Sequence, residues 1–225
     1  MQLGEAIRFP CERGRAALRL KIRLQELSTN LGVTPNLVPK SQRDVDLLHG
    51  FRVLAHSEIQ AFVEDVATTI LEVTDDFATR GRLTHAGHQL MVHDMADRYF
   101  RATESSRYPI YDTKLVNTRF QSDKGPLEEA IKRHKSVIKK NSGLKESNVR
   151  RVLLPLGYRE SFFARGLLTT LSNFGVERGN VAHGSGVSVG LQHLPSGSTE
   201  IARIKNLQHG LEMLERFAPR LLTPL

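Results

Sequence analysis

The sequence predicts an all-α protein. Three observations carry this. Several long stretches repeat apolar residues at spacings of three and four, which lays one apolar stripe along a helix. The strict apolar–polar alternation of a half-buried strand is almost absent. The breaks between periodic stretches hold proline, glycine and asparagine, the residues that end helices and form turns. No internal repeat is visible, so the class narrows to a helical bundle with long connections and an irregular insertion between helices.

The first helix is expected over Arg13 to Leu27, where Ala17, Leu20, Leu24 and Leu27 share a face. "NLGVTPNLVPK" breaks it with Gly32, Pro35 and Pro39. Asp44 to Asp76 is the strongest helical stretch. Leu48, Phe51, Ala55, Ile59, Phe62, Val66 and Ile70 form one unbroken stripe, and Asp44 and Asp46 suit the positive end of a helix dipole. Leu83 to Tyr99 reads as helical with weaker periodicity. "ESSRYPIYDTKLVNTRFQ", with Pro109 and its aromatics, reads as the irregular insertion.

Pro126 to Lys140 is expected to be helical, with proline in a starting position. A turn follows at Asn141–Gly143. A short helix then runs from a cap at Ser147 and stops by Pro155. Glu160 to Glu177 is the next helix, with Phe163, Leu167, Leu168 and Leu171 inward. "HGSGVSVGLQHLPSGSTE" is a Gly/Ser-rich loop. Ile201 to Phe217 closes the chain, with Ile201, Ile204, Leu207, Leu211 and Leu214 on one face. This divides the chain into an N-terminal helix-and-loop appendage, 1–39, and a helical domain, 40–225.

The 225 residues are 40% hydrophobic and 25% charged, an ordinary globular composition. Tryptophan is absent, so the core is built mainly from Leu, Val, Ile and Ala. The one cysteine, Cys11, allows no intrachain disulfide, which fits a reducing compartment. No apolar run approaches the roughly 20 residues of a membrane span, and the N-terminus lacks the apolar core of a signal peptide. The expectation is a cytoplasmic protein without a membrane partner.

The net charge of +8 is unevenly spread. Asp44 to Phe77 carries eight acidic residues and one arginine, whereas Lys124 to Arg151 carries nine basic and three acidic ones. Lys139, Lys140, Arg150 and Arg151 are candidates for contacts to RNA phosphates. A charge run alone is more often a solvated face.

Nine histidines invite a metal, but a single cysteine excludes thiolate zinc sites and no HExxH is present. His85, His88 and His93, with Asp94 and Asp97 near them, read as a polar helix face. Phosphate-loop and dinucleotide fingerprints are absent. The expected metals and cofactors are none. On the long helix His49, Arg52 and His56 follow at i, i+3 and i+7, a polar stripe suited to packing against another helix or a partner. His56 and Glu58 are supporting candidates, although Glu58 points elsewhere on that helix.

The stretch with most chemical content is "FGVERGNVAHGSGVS". In an unbroken helix, Arg178 and His183 stand about 140° apart; a kink at Gly179 would turn them into one cleft. Arginine offers a planar fork of donors to phosphate, and histidine moves a proton near neutral pH. Such a pair can cleave RNA in principle, with the 2′-hydroxyl as nucleophile. The alternative is a helix end, with Arg178 as a C-terminal cap and His183 in a satisfied contact.

Two further stretches bear on that choice. "HGFRVLAHSEIQAFVEDV" resembles the first core helix of HEPN domains, in particular the RiboL-PSP group. "NSGLKESNVRRVLLPLG" followed by "FGVERGNVAHGS" resembles that group's second half, and "RGxxAH" resembles the superfamily's Arg-x(4–6)-His signature. The resemblance spans roughly Arg43 to Ser185, less closely over Thr79 to Lys124. It implies a four- to five-helix bundle, usually a homodimer, with arginine and histidine of both subunits in a cleft at the interface. It implies a metal-independent endoribonuclease of the kind found in toxin–antitoxin and defence systems, with RNA and an antitoxin or other protein as partners. Arg178 and His183 match the signature pair, and Asn180 matches a possible helper. Where many members carry a polar residue directly after the arginine, this chain has Gly179. Some members are non-catalytic modules that bind RNA, a nucleotide or a protein.

Overall fold

A helix of 38 residues, α2 (Gln42–Thr79), organises the molecule. Its start is locked by a reciprocal cap: the Ser41 hydroxyl accepts from the Asp44 N–H, and the Asp44 carboxylate accepts from the Ser41 N–H. The whole predicted stripe from Leu48 to Ile70 is buried. The computed structural model describes residues 16–103, 113–183 and 196–225, with backbone only for 98–103, 113–115 and 180–183.

Around α2 lie α1 (Ala16–Asn30), α3 (His85–Thr103), α4 (Thr113–Ser122), α5 (Gly125–Lys139), α6 (Glu146–Leu153), α7 (Leu167–His183) and α8 (Gly197–Leu221). Among the described residues there is no strand; one isolated bridge, Thr84 to Pro224, ties down the C-terminus. The all-α class is as expected.

Of the expected appendage 1–39, the described part packs onto the bundle. Leu20, Leu24 and Leu27 of α1 are buried against α2 and α8 within one continuous core. Part of the expected irregular insertion is helical. Thr113–Ser122 forms α4, anchored by Val116 and Phe120, which lie four apart and are fully buried. The rest of that insertion, 104–112, and most of the Gly/Ser-rich loop, 184–195, lie outside the described residues.

The largest correction concerns α7. The stretch after Pro155 does not form one helix from Glu160. It makes a 3-10 turn at Glu160–Phe162, then passes through Gly166 at φ +77°, a left-handed conformation that stops helix growth. The α-helix starts at Leu167 and continues past Glu177 to His183. Similarly, α6 starts directly after Lys145 rather than from a cap at Ser147, and no side chain caps it.

Three contacts hold α5 to α8 in register. The His134 Nε2–H donates to the Val152 carbonyl at 2.8 Å, joining α5 to α6. The buried Tyr158 hydroxyl donates to the Leu214 carbonyl at 2.8 Å. Helices α7 and α8 approach at Gly210, where a Cβ would come within 2.6 Å of Leu167 Cδ1.

Candidate functional site

Helix α7 carries Arg178 on the face that packs against α2. Leu171, Phe174, Gly175 and Arg178 recur at three and four, and Leu171 and Phe174 are fully buried. Opposite Gly175 sits His56 of α2, whose Nε2 lies 3.6 Å from the place a Cβ would occupy. The His56 ring stacks on Phe174 at a centroid distance of 6.0 Å and an angle of 29°. His56 is only 4% exposed. Burial first, and then the positive charge of Arg178, push its imidazole down to about 4, so it is neutral at physiological pH.

Next to this pair the end of α7 is clamped by ions. Arg52 of α2 donates to Glu200 of α8 through Nη2 at 2.6 Å and Nε at 3.3 Å. Arg203 of α8 makes a forked contact with Glu177 of α7, at 2.5 and 3.0 Å. Arg52 Nη1 also reaches Glu177 at 3.5 Å, and Arg203 reaches Glu200 at 3.7 Å. Two arginines and two carboxylates thus neutralise one another across three helices. Arg178, the residue next to Glu177, takes no part. Its Nε is buried and has no acceptor among the described residues.

The predicted residues therefore separate into groups. Arg178 lies near enough to His56 for its charge to act on the imidazole. Position 183 lies on the same continuous helix as Arg178. The side chains of Asn180 and His183 lie outside the described residues. Glu58 faces away from His56 and accepts from Arg23 of α1 at 3.0 Å. Arg52 reaches from the polar stripe to Glu177 of α7 and Glu200 of α8, and His49 lies near enough to Glu200 to feel its charge. Lys139 and Lys140 are exposed at the end of α5. Arg150 is held by Glu146 at 2.6 Å and by Glu160. Arg151 is exposed and reaches Asn148 at 3.5 Å. Among the described residues no three His, Cys, Asp or Glu side chains gather as a metal site. Within the His85–His93 stretch, His88 is buried rather than part of a wet face.

The model of the family described as RiboL-PSP-HEPN matches residues 18–217. The chain belongs to that family. The match takes in most of α1, all of α2 to α7 and most of α8. No curated protein and no solved structure matches the chain. Within this HEPN fold no helix among the described residues is long and apolar enough to cross a membrane.

Sequence reading missed Glu177, Glu200 and Arg203. A signal for them existed. Arg52 interrupts the inward side of an otherwise apolar helix, and an arginine buried there needs a carboxylate. Its partner, however, lies 148 residues away.

Proposed function

We propose that the protein is a metal-independent endoribonuclease of HEPN type, an effector of the toxin or defence kind, in which Arg178 and His183 act on one phosphodiester. The RNA 2′-hydroxyl attacks the adjacent phosphorus and gives its proton to the base. The bond to the 5′-oxygen breaks, and that oxygen receives a proton from the acid. The products are a 2′,3′-cyclic phosphate and a 5′-hydroxyl. His183 serves the proton transfers, and Arg178 donates to the non-bridging oxygens as charge builds on them. The observation that carries this reading is the state of Arg178. Both neighbouring arginines are paired with carboxylates, whereas the buried Arg178 Nε has no acceptor among the described residues.

The unbroken helix makes a second copy part of the proposal. Position 183 lies about 140° around α7 from Arg178 and on the stripe of Val176, which is 48% exposed. At Gly179 on this side nothing lies within 4 Å of a Cβ, so another backbone can approach. A two-fold partner against this side would bring position 183 of each copy to the other subunit. Val176→Asp should then turn a dimer into a monomer by light scattering; a wild-type monomer at micromolar concentration would count against the assembly.

The same continuity favours a second reading, a non-catalytic HEPN module that binds RNA, a nucleotide or a protein partner. Incubation of the purified protein with RNA in EDTA, beside His183→Ala, separates the two. Cleavage that the variant loses supports the nuclease. Binding without cleavage supports the module.

A further inference from the structure

We infer that the corner between α2, α7 and the start of α6 is a binding site for a phosphate group, held by Arg178, His56 and the N–H groups of the first turn of α6. The inference rests on the nuclease reading only in taking an RNA strand as one source of the phosphate.

One point in space defines the site. The position a Cβ would take on Gly175 lies 3.6 Å from His56 Nε2, 3.8 Å from the Lys145 backbone nitrogen and 3.8 Å from the Leu144 carbonyl carbon. Three elements thus meet over a residue without a side chain. Arg178, one turn further along α7, lies near enough to His56 for its charge to act on the imidazole. The donors are unspent. No acceptor among the described residues reaches the N–H of Lys145, Glu146 or Ser147, and α6 has no side-chain cap. His56 is buried, with neither ring nitrogen hydrogen-bonded among the described residues, and Arg178 Nε is buried without an acceptor.

These donors suit a phosphate. The helix N-terminus favours negative charge, and the guanidinium supplies a full positive one. A neutral imidazole adds an N–H without a second buried charge. Glu146, in the first turn of α6, pairs with Arg150, which also binds Glu160. The Lys145 side chain is exposed at the same corner. The connection that carries Lys145 is fixed to α2: Gln60 donates to the Asn141 carbonyl at 3.3 Å, and Asn141 donates to Glu64 at 2.8 Å. The phosphate can come from a diester inside an RNA strand or from the terminal phosphate of a nucleotide.

The test uses the full chain, labelled with 15N, titrated with inorganic phosphate and separately with a 2′-O-methyl oligoribonucleotide that has no terminal phosphate. Saturable shifts at the Lys145, Glu146 and Ser147 amides, the Arg178 Nε–H and the His56 ring are expected. Shifts with the oligonucleotide assign the site to the strand; shifts with phosphate alone assign it to a terminal phosphate; either supports the site. Gly175→Ala meets only ordinary contact distances and so keeps the fold, but its methyl stands against the His56 and Lys145 nitrogens and should weaken binding by about tenfold or more. Lys145→Pro suits the φ of −58° at that residue and removes the N–H, whereas Lys145→Ala keeps it. The proline variant should bind more weakly than the alanine variant. Shifts scattered over surface lysines, or unchanged binding by Gly175→Ala, overturn the inference even if RNA is cleaved. Site-specific shifts in a protein that leaves RNA intact in EDTA sink the nuclease reading and leave the site standing.

Discussion

Arg52 on α2 and Glu200 on α8 meet in a two-pronged contact in which Glu200 is wholly buried and Arg52 is 6% exposed. Through Glu177, which both Arg52 and Arg203 reach, the contact extends to α7 one residue before Arg178. The network therefore sets the height and rotation of the helix that carries the candidate site.

Breaking this network from one side should cost far more than removing a surface ion pair. Arg52→Ala leaves Glu200 buried, with only Arg203 at 3.7 Å in reach. A loss of about 3 kcal/mol or more is expected by urea denaturation. Arg52→Met combined with Glu200→Leu removes both charges and should lose much less. Equal losses for the single and double variants would mean that packing, not charge, holds the three helices together.

What could be read from the sequence was what is local. The α2 stripe and its Ser41–Asp44 start are written within a few residues of one another, so the longest helix was legible. The start of α7 was not. Apolar periodicity runs on through Phe162 and Phe163, and only the left-handed backbone at Gly166 breaks it. Helix α4 was hidden by Pro109 and its aromatics, although Val116 and Phe120 repeat at helical spacing. Arg178 and His183 stood out because a spacing within one segment relates them. The pairing of His56 with Arg178 depends on how α2 and α7 cross, which no single segment encodes.

Acid should destabilise the fold through His56. Its imidazole lies at about 4 in the folded chain, against the usual 6.5. Between these values the unfolded chain binds the extra proton, so stability rises with pH across the window and is lost as pH falls from 6.5 to 4. The difference is worth at most about 3 kcal/mol. Burial pushes His49, His88 and His134 the same way, so the full profile is steeper than one proton explains. His56→Gln should flatten it by about one proton between pH 4.5 and 6.5, measured by denaturation at each pH. An unchanged slope would show that His56 is readily protonated in the folded protein.

RNA affinity should fall steeply with salt, and the basic residues should not share this equally. Lys139 and Lys140 are exposed and make no ion pair among the described residues. Reversing both charges should weaken binding to all sequences alike. It should also reduce the slope of log affinity against log salt by about two, one for each phosphate left without its lysine. Arg150 is committed to Glu146 and Glu160, so Arg150→Ala should change the slope less. An unchanged slope in the double lysine variant would reduce that end of α5 to a solubilising surface.

The chemistry is tested most directly by two substitutions and two substrates. His183→Ala should abolish cleavage with the fold intact, since loss of a general base or acid commonly costs about 10²–10⁴ in rate. Arg178→Ala should cost a similar factor, because charge developing on the phosphate oxygens would lose its cation. Arg178 does not belong to the Arg52–Glu200–Arg203–Glu177 network, so the thermal melt of Arg178→Ala should stay close to the wild type. The nucleophile belongs to the RNA, so DNA should resist, and so should RNA with a 2′-O-methyl group at the cut site. Products should carry a cyclic phosphate, and EDTA should leave the rate unchanged. The decisive result is metal dependence together with DNA cleavage. An activity that needs Mg²⁺ and cuts DNA cannot run through a 2′-hydroxyl, and Arg178 would then be a ligand-binding arginine rather than part of a nuclease.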